Sequence, residues 1–194
     1  MEIFTPAEPP LGPFWHIEPA LNRRQIAGCA TAAAPTTANP SVGQLRALPL
    51  IAAGGVLDRL EFIVTVAGAA GARARLGIYA NTSRTNLRPA ALLVEGTDHA
   101  TDVIGVKSTT INLAVVRGQL YWIAWNIGVA SPQVRALNIS QAIPIMGGDT
   151  GFSPNFYFGW EWATAYGALP NPFPAAALPL YGITPLVMGV RYAS

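Results

Sequence analysis

The chain predicts an all-β fold: an antiparallel β-sandwich, jelly-roll-like, preceded by an extended proline-rich N-terminal arm. Three observations lead there. Short apolar segments alternate with period two, glycine and proline turns separate them, and no stretch repeats at the 3.6-residue spacing of an amphipathic helix. The length of 194 residues suits a single core of ordinary size. Residues 1–49 read as the arm and residues 50–194 as the sandwich domain.

The arm follows from proline. Pro6, Pro9, Pro10, Pro13, Pro19, Pro35, Pro40 and Pro49 forbid a long regular helix, yet Phe14, Trp15 and Ile17 form an apolar patch among them. Such a segment loses little entropy on docking and is expected to lie extended on a neighbouring chain. The first nine residues lack the basic and apolar regions of a secretion signal. Ile26-Ala27-Gly28-Cys29 looks like a lipoprotein cleavage box, but Arg23 and Arg24 occupy the place of its apolar stretch, and Cys29 reads as a small packed residue.

After Gly55 the strands come in order. Over Leu57 to Val66, Leu60, Phe62, Val64 and Val66 share one face and Arg59, Glu61, Ile63 and Thr65 the other, the pattern of a half-buried strand. Gly68 to Gly71 read as the turn of a hairpin into a second strand carrying Ala72, Ala74, Leu76 and Ile78. A polar loop over Asn81 to Pro89 leads to a short strand at Ala91 to Glu95, and another follows at Thr109 to Val116. Arg117-Gly118 reads as a tight turn into Gln119 to Ile127, which is apolar on both faces and is therefore expected to be central. Gln133 to Ile139 and Pro185 to Ala193 complete the set, the last with Leu186, Met188, Val190 and Tyr192 on one face.

Composition narrows the function classes. Hydrophobic residues make up 51% and charged residues 11%, against about 25% charged in average soluble proteins, which excludes disorder. The 19 glycines and 17 prolines are scattered without a three-residue period, which excludes collagen. A mean hydropathy of +0.34 raises the question of a membrane span. The longest uncharged run, Trp162 to Val190, is broken by Pro170, Pro172, Pro174, Pro179 and Pro185, so no insertion is expected. A chain this apolar without a span is expected to hide surface against copies of itself or a larger assembly. The net charge of +2, with no basic cluster beyond Arg23-Arg24, gives no indication of nucleic-acid binding. One cysteine excludes an internal disulfide and a four-cysteine zinc site, and no cofactor or metal is expected.

Several motifs in order carry a family resemblance. Leu57-Asp58-Arg59-Leu60, then Val66 to Gly71, then Arg75-Leu76-Gly77-Ile78-Tyr79 are followed by Gly118-Gln119-Leu120-Tyr121-Trp122 and by Leu169-Pro170-Asn171-Pro172-Phe173-Pro174. Over residues 50–194 this series resembles a domain recurrent in structural proteins of tailed bacteriophages, of tail-fibre or minor virion type. The long arm departs from that pattern, as does the loop before Pro89, where Arg84 and Arg88 stand in place of a Gly-Pro-Gly turn. The resemblance implies a β-sandwich in a virion, often trimeric, without catalytic residues. The expected function is thus a non-enzymatic virion protein of fibre or spike type. Its expected partners are two further copies of itself, other virion proteins and a host surface glycan. A capsid decoration protein and a carbohydrate-binding module are the alternatives.

Chemistry-bearing residues are few. Asp98-His99 with Asp102 suggests a base and its orienting acid, but no nucleophile motif accompanies them and the setting reads as a solvated loop. Asp149 and Glu161 are the only acids after Asp102, and a glycosidase needs two carboxylates; both are equally expected as loop and rim residues. Aromatic side chains concentrate between Phe152 and Tyr166, and the common parity of Phe156, Phe158, Trp160 and Trp162 favours core or subunit interface over an exposed ligand platform. Phe14, Trp15, Tyr157, Trp160, Trp162 and Tyr166 are the candidate interface or ligand residues.

Overall fold

A computed structural model describes residues 24–26, 36–128, 132–136, 157–180, 186 and 188–193. Among these residues every regular element is a strand. In chain order they are β1 (Arg24–Ile26), β2 (Thr36–Ala38), β3 (Gln44–Ile51), β4 (Gly55–Val66), β5 (Arg73–Asn81), β6 (Pro89–Glu95), β7 (His99–Ala100), β8 (Gly105–Val115), β9 (Leu120–Ile127), β10 (Gln133–Ala136), β11 (Gly159–Ala163), β12 (Leu178–Leu180) and β13 (Met188–Tyr192).

All pairings are antiparallel and form two sheets. In the first, β4 is the spine: β8 runs along one edge of it, while β13 and β10 lie end to end along the other, extended by β1 and β2 respectively. The second runs β12-β11-β3-β9-β5-β6, with β7 end to end with β6 along β5. The facing surfaces enclose one apolar core, drawn from Leu48 and Leu50 of β3, Leu60, Phe62 and Val64 of β4, Leu76 and Ile78 of β5, Ile123 and Trp125 of β9, and Met188 and Val190 of β13. The all-β antiparallel sandwich expected from period-two alternation is the observed architecture.

Local patterns hold, with physical exceptions. Leu57 joins Leu60, Phe62 and Val64 in the interior because a bulge between Leu57 and Arg59 shifts the alternation by one, whereas Val66, at the strand's end, is 49% exposed. β9 is central, held by β3 on one side and β5 on the other, as its two apolar faces require. On β13, Met188, Val190 and Tyr192 face inward with Leu186 just before them. Residues 137–139, in the expected strand after Gln133, lie outside the described residues.

Two expectations are corrected. The strands flanking Gly68 to Gly71 are not a hairpin: β4 belongs to the first sheet and β5 to the second, so this turn carries the chain across the sandwich. Gly71 takes a φ of +81° there, and its N–H donates to Asp102 Oδ2 at 3.0 Å. Alternation reports that a strand has one buried face, and that face looks the same for a hairpin and for an arch between sheets. The boundary at residues 49/50 falls inside β3. Leu45, Ala47 and Leu48 are buried, and β3 is paired on both sides, to β9 and β11. Pro49 is tolerated because the β11 register ends at Ala47, leaving β3 paired at residue 49 only to Trp122. β1 also belongs to the sandwich: Tyr192 Oη donates to Gln25 Oε1 at 2.7 Å and accepts from Ala53 N at 2.9 Å.

A third layer covers the outer face of the second sheet. Residues 164–177 run across it as a strap, and Leu169, Phe173 and Ala177 pack on Leu45, Ala47, Tyr79, Trp122 and Ala124. This explains why β5 and β9 are buried on both faces although each belongs to only one sheet.

Candidate functional site

The strap and the loop before β6 bring together three of the candidate residues, Trp160, Trp162 and Tyr166, and most of the paired charges. Trp160 and Trp162, on β11, point to the outer face of the second sheet and pack half-buried against the strap cluster. Trp160 is engaged on two counts. Its Nε1 donates to Leu87 O at 2.9 Å, and the Arg88 guanidinium lies 4.2 Å from the ring centroid. Phe158, expected on the same face, instead enters the core between the sheets, because it precedes β11 and is not held to that strand's alternation.

Hydrogen bonds fix the strap to the sheet. Tyr79 Oη donates to Pro170 O at 2.8 Å, and the Tyr79 ring meets Phe173 edge-on at 5.1 Å between centroids. Burial, then the Glu95 carboxylate, raise the Tyr79 phenol well above its ordinary pKa. Phe173 N donates to Ala90 O at 2.9 Å and Asn171 Oδ1 accepts from Leu92 N at 3.0 Å, so the strap also caps the edge of β6.

At the other end of the strap a charged cluster forms. Tyr166 Oη donates to Asp98 Oδ1. Asp98 Oδ2 also lies 3.6 Å from Arg73 Nη1 and 3.9 Å from Arg75 Nη2. Arg75 Nη1 in turn donates to Glu95 Oε1 at 2.9 Å, and that oxygen accepts from Leu169 N at 3.1 Å. Burial and the bond to Asp98 push the Tyr166 phenol upward. Two arginines and two carboxylates neutralise one another here, and the arrangement pins the strap.

The acid–base arrangement that Asp98, His99 and Asp102 suggest in the sequence, set aside there for want of a nucleophile motif, is not assembled. Asp98 turns to Tyr166 and the arginines, Asp102 caps the turn at Gly71, and His99 Nε2 lies 2.5 Å from Thr109 Oγ1 of β8. The His99 ring also meets Phe62 edge-on at 5.7 Å, so it closes one side of the sandwich between β7 and β8. Burial and nearby Lys107 lower its pKa, with Asp98 opposing. Glu161 pairs with Arg46 at 3.3 Å; burial pulls the guanidinium below its ordinary pKa while Glu161 pulls it up. Asp149, the other acid weighed for a two-carboxylate site, lies outside the described residues, as do Phe14 and Trp15. Tyr157 is half-buried. Among the described residues no group of three or more His, Cys, Asp or Glu is placed to hold a metal ion. An apolar pocket between the sheets, lined by Phe62, Leu76, Trp125, Ile127 and Met188 among others, has about 10 Å³ of space, room for one water.

Two features were not picked out in the sequence. Arg88 was visible only as a departure within a polar loop, since its carbonyl partners lie 86 to 89 residues away. The apolar residues Val103, Ile104 and Val106 are 59%, 63% and 63% exposed; the available signal was an apolar run beside Gly105 with no polar alternation before it. The fold and surface define a strap-covered β-sandwich with one face sealed by its own chain and an apolar margin on the other sheet. No protein-family model and no curated protein matches the chain.

Proposed function

We propose that the chain is a non-enzymatic structural protein of a tailed-bacteriophage particle, of fibre or spike type, acting through assembly as a homotrimer and through attachment to the host. The observation that carries this reading is the contrast between its surfaces. The strap seals the aromatic face of one sheet, while Val103, Ile104 and Val106 at the margin of the other stay in solvent. Apolar side chains left outside in this way are the signature of a subunit that meets another chain. The half-buried setting of Trp160, with Arg88 over its ring, supports a packing role for the aromatics over a glycan platform. The strap contains Leu169 to Pro174, one of the motifs behind the phage resemblance, so that motif has a structural role.

Peptide quantification in purified particles of the phage encoding the chain tests the reading. A few copies per particle are expected. Hundreds of copies would replace the fibre role by capsid decoration, and absence from washed particles would overturn the assignment. A stable monomer in solution at micromolar concentration would overturn the homotrimer.

A further inference from the structure

We infer that two copies of this chain join through β8, edge to edge and antiparallel about a two-fold axis at Thr110. The strand runs from Gly105 to Val115 and pairs with β4 on one side; among the described residues no strand pairs with its other side. An unpaired edge of this length is a template for another strand. It contains no proline, and Lys107 is its only charge.

The outward row of β8 identifies the occupant. Reading alternate residues through the strand and one position beyond each end gives Ile104, Val106, Ser108, Thr110, Asn112, Ala114 and Val116. The row is apolar at both ends and polar in the middle, symmetrically about Thr110. A two-fold axis there sets Ile104 against Val116 of the second copy, Val106 against Ala114, Ser108 against Asn112, and Thr110 against itself. Ile104, Val106 and Val116, each 63% exposed, thereby gain apolar partners, and polar residues meet polar ones. Moving the axis to Ser108 or Asn112 sets apolar residues against polar ones, and moving it to Thr109 sets Val106 against Asn112. Moving it to Ile111 sets Ser108 against Ala114 and leaves Ile104 opposite Gly118, and an axis between two residues sends the row to the wrong face. Two further exposed side chains continue the match: Val56 is registered with Ala114 on β4, and Val66 lies beyond the pairing of Val64 with Gly105. Six of the nine exposed large hydrophobics of the described residues thus flank this one strand. On the inward row Lys107 falls opposite Leu113 of the second copy, so the two lysines are kept apart.

The inference does not rest on the virion reading and is decided with purified full-length protein. An isologous contact joins chains in pairs, so the assembly holds two chains where β8 is the sole contact, or six, two of the proposed homotrimers joined through β8, where the three-fold contact is also used. Val106→Asp, at a site open enough to leave the fold intact, is expected to halve the mass measured by light scattering. Val42→Asp, 46% exposed and on the turn before β3, leaves it unchanged. Spin labels on Thr110→Cys in a Cys29→Ser background are expected to approach within about 15 Å across the axis. The same labels on Val106→Cys should lie about 27 Å apart, eight strand residues at about 3.4 Å each. A wild-type mass that is an odd multiple of the chain, a mass untouched by Val106→Asp, or a Val106→Cys distance shorter than that for Thr110→Cys overturns the inference.

Discussion

The Arg88 guanidinium stacks 4.2 Å from the centre of the Trp160 ring while its Nη2 reaches Pro174 O at 3.3 Å and Ala177 O at 2.9 Å. One side chain from the loop before β6 therefore ties β11 to the end of the strap. A planar cation suits this place, since its face meets an aromatic ring while its edge points at carbonyls.

Arg88→Ala is expected to lower stability by about 2–3 kcal/mol, combining charge-assisted hydrogen bonds with a cation–π contact. Arg88→Lys should recover less than half of that, because a point charge cannot stack and bridge together. Urea midpoints at an unchanged m-value measure both effects. Equal stability of the lysine variant and wild type would show that charge alone matters.

Two glycines of one region predict opposite responses. A Cβ at Gly159 would run into the carbonyl oxygen of Ala47 on the neighbouring strand, whereas one at Gly167 would meet nothing within 4 Å. Gly159→Ala is expected to cost more than about 2 kcal/mol, because β3 and β11 would have to separate. Gly167→Ala should stay within about 1 kcal/mol of wild type. Thermal unfolding of the two variants side by side distinguishes a steric requirement from a general effect of replacing glycine.

Acid sensitivity should pass through His99. Burial and Lys107 hold its pKa in the folded state below the ordinary value of about 6.5, so the unfolded chain binds the proton more readily. The stabilising contribution of neutral His99 is therefore complete above about pH 6.5 and is lost as pH falls from there toward the folded-state pKa. Unfolding free energies between pH 7.5 and 5 should drop more steeply for wild type than for His99→Gln, which keeps a polar partner for Thr109. Lys107→Gln should make the drop shallower. Parallel curves for wild type and His99→Gln would exclude this role.

The legible part of the fold was the part written locally. β4 and β13 announce themselves because their burial alternates within a few residues, and β9 reads as central because both faces are apolar. Partner choice is not local: the stretch before Gly68 and the stretch after Gly71 have compatible patterns, yet they join opposite sheets. β3 was hidden by Pro49, a residue that ordinarily argues against a central strand and is admitted here only where the β11 register has ended. In the candidate site, the aromatic concentration around Trp160 was legible as packing, but Phe158 and Trp160 went to different cores once β11 began between them. The palindrome around Thr110 is present in the sequence, and its meaning depends on β8 being an edge.

The position of β3 reverses the expected effect of removing residues 1–49. If those residues were only an arm, the sandwich would survive the deletion. The cut instead removes Gln44 to Pro49, six of the eight residues of a strand between β11 and β9, together with β1 and β2. Leu45, Ala47 and Leu48 are 0–1% exposed, and truncating one buried leucine to alanine already costs about 2–5 kcal/mol. Losing the strand also strips hydrogen-bond partners from both neighbours, a loss comparable with the whole stability of a domain, about 5–15 kcal/mol. The 50–194 fragment should accordingly be insoluble or unfolded. The 24–194 fragment keeps every described strand and is expected to stay soluble, with a melting temperature within about 5 °C of the full chain. Expression of both fragments, followed by far-UV circular dichroism and thermal melts, makes the comparison; a soluble, cooperatively melting 50–194 fragment would show that the second sheet closes without β3.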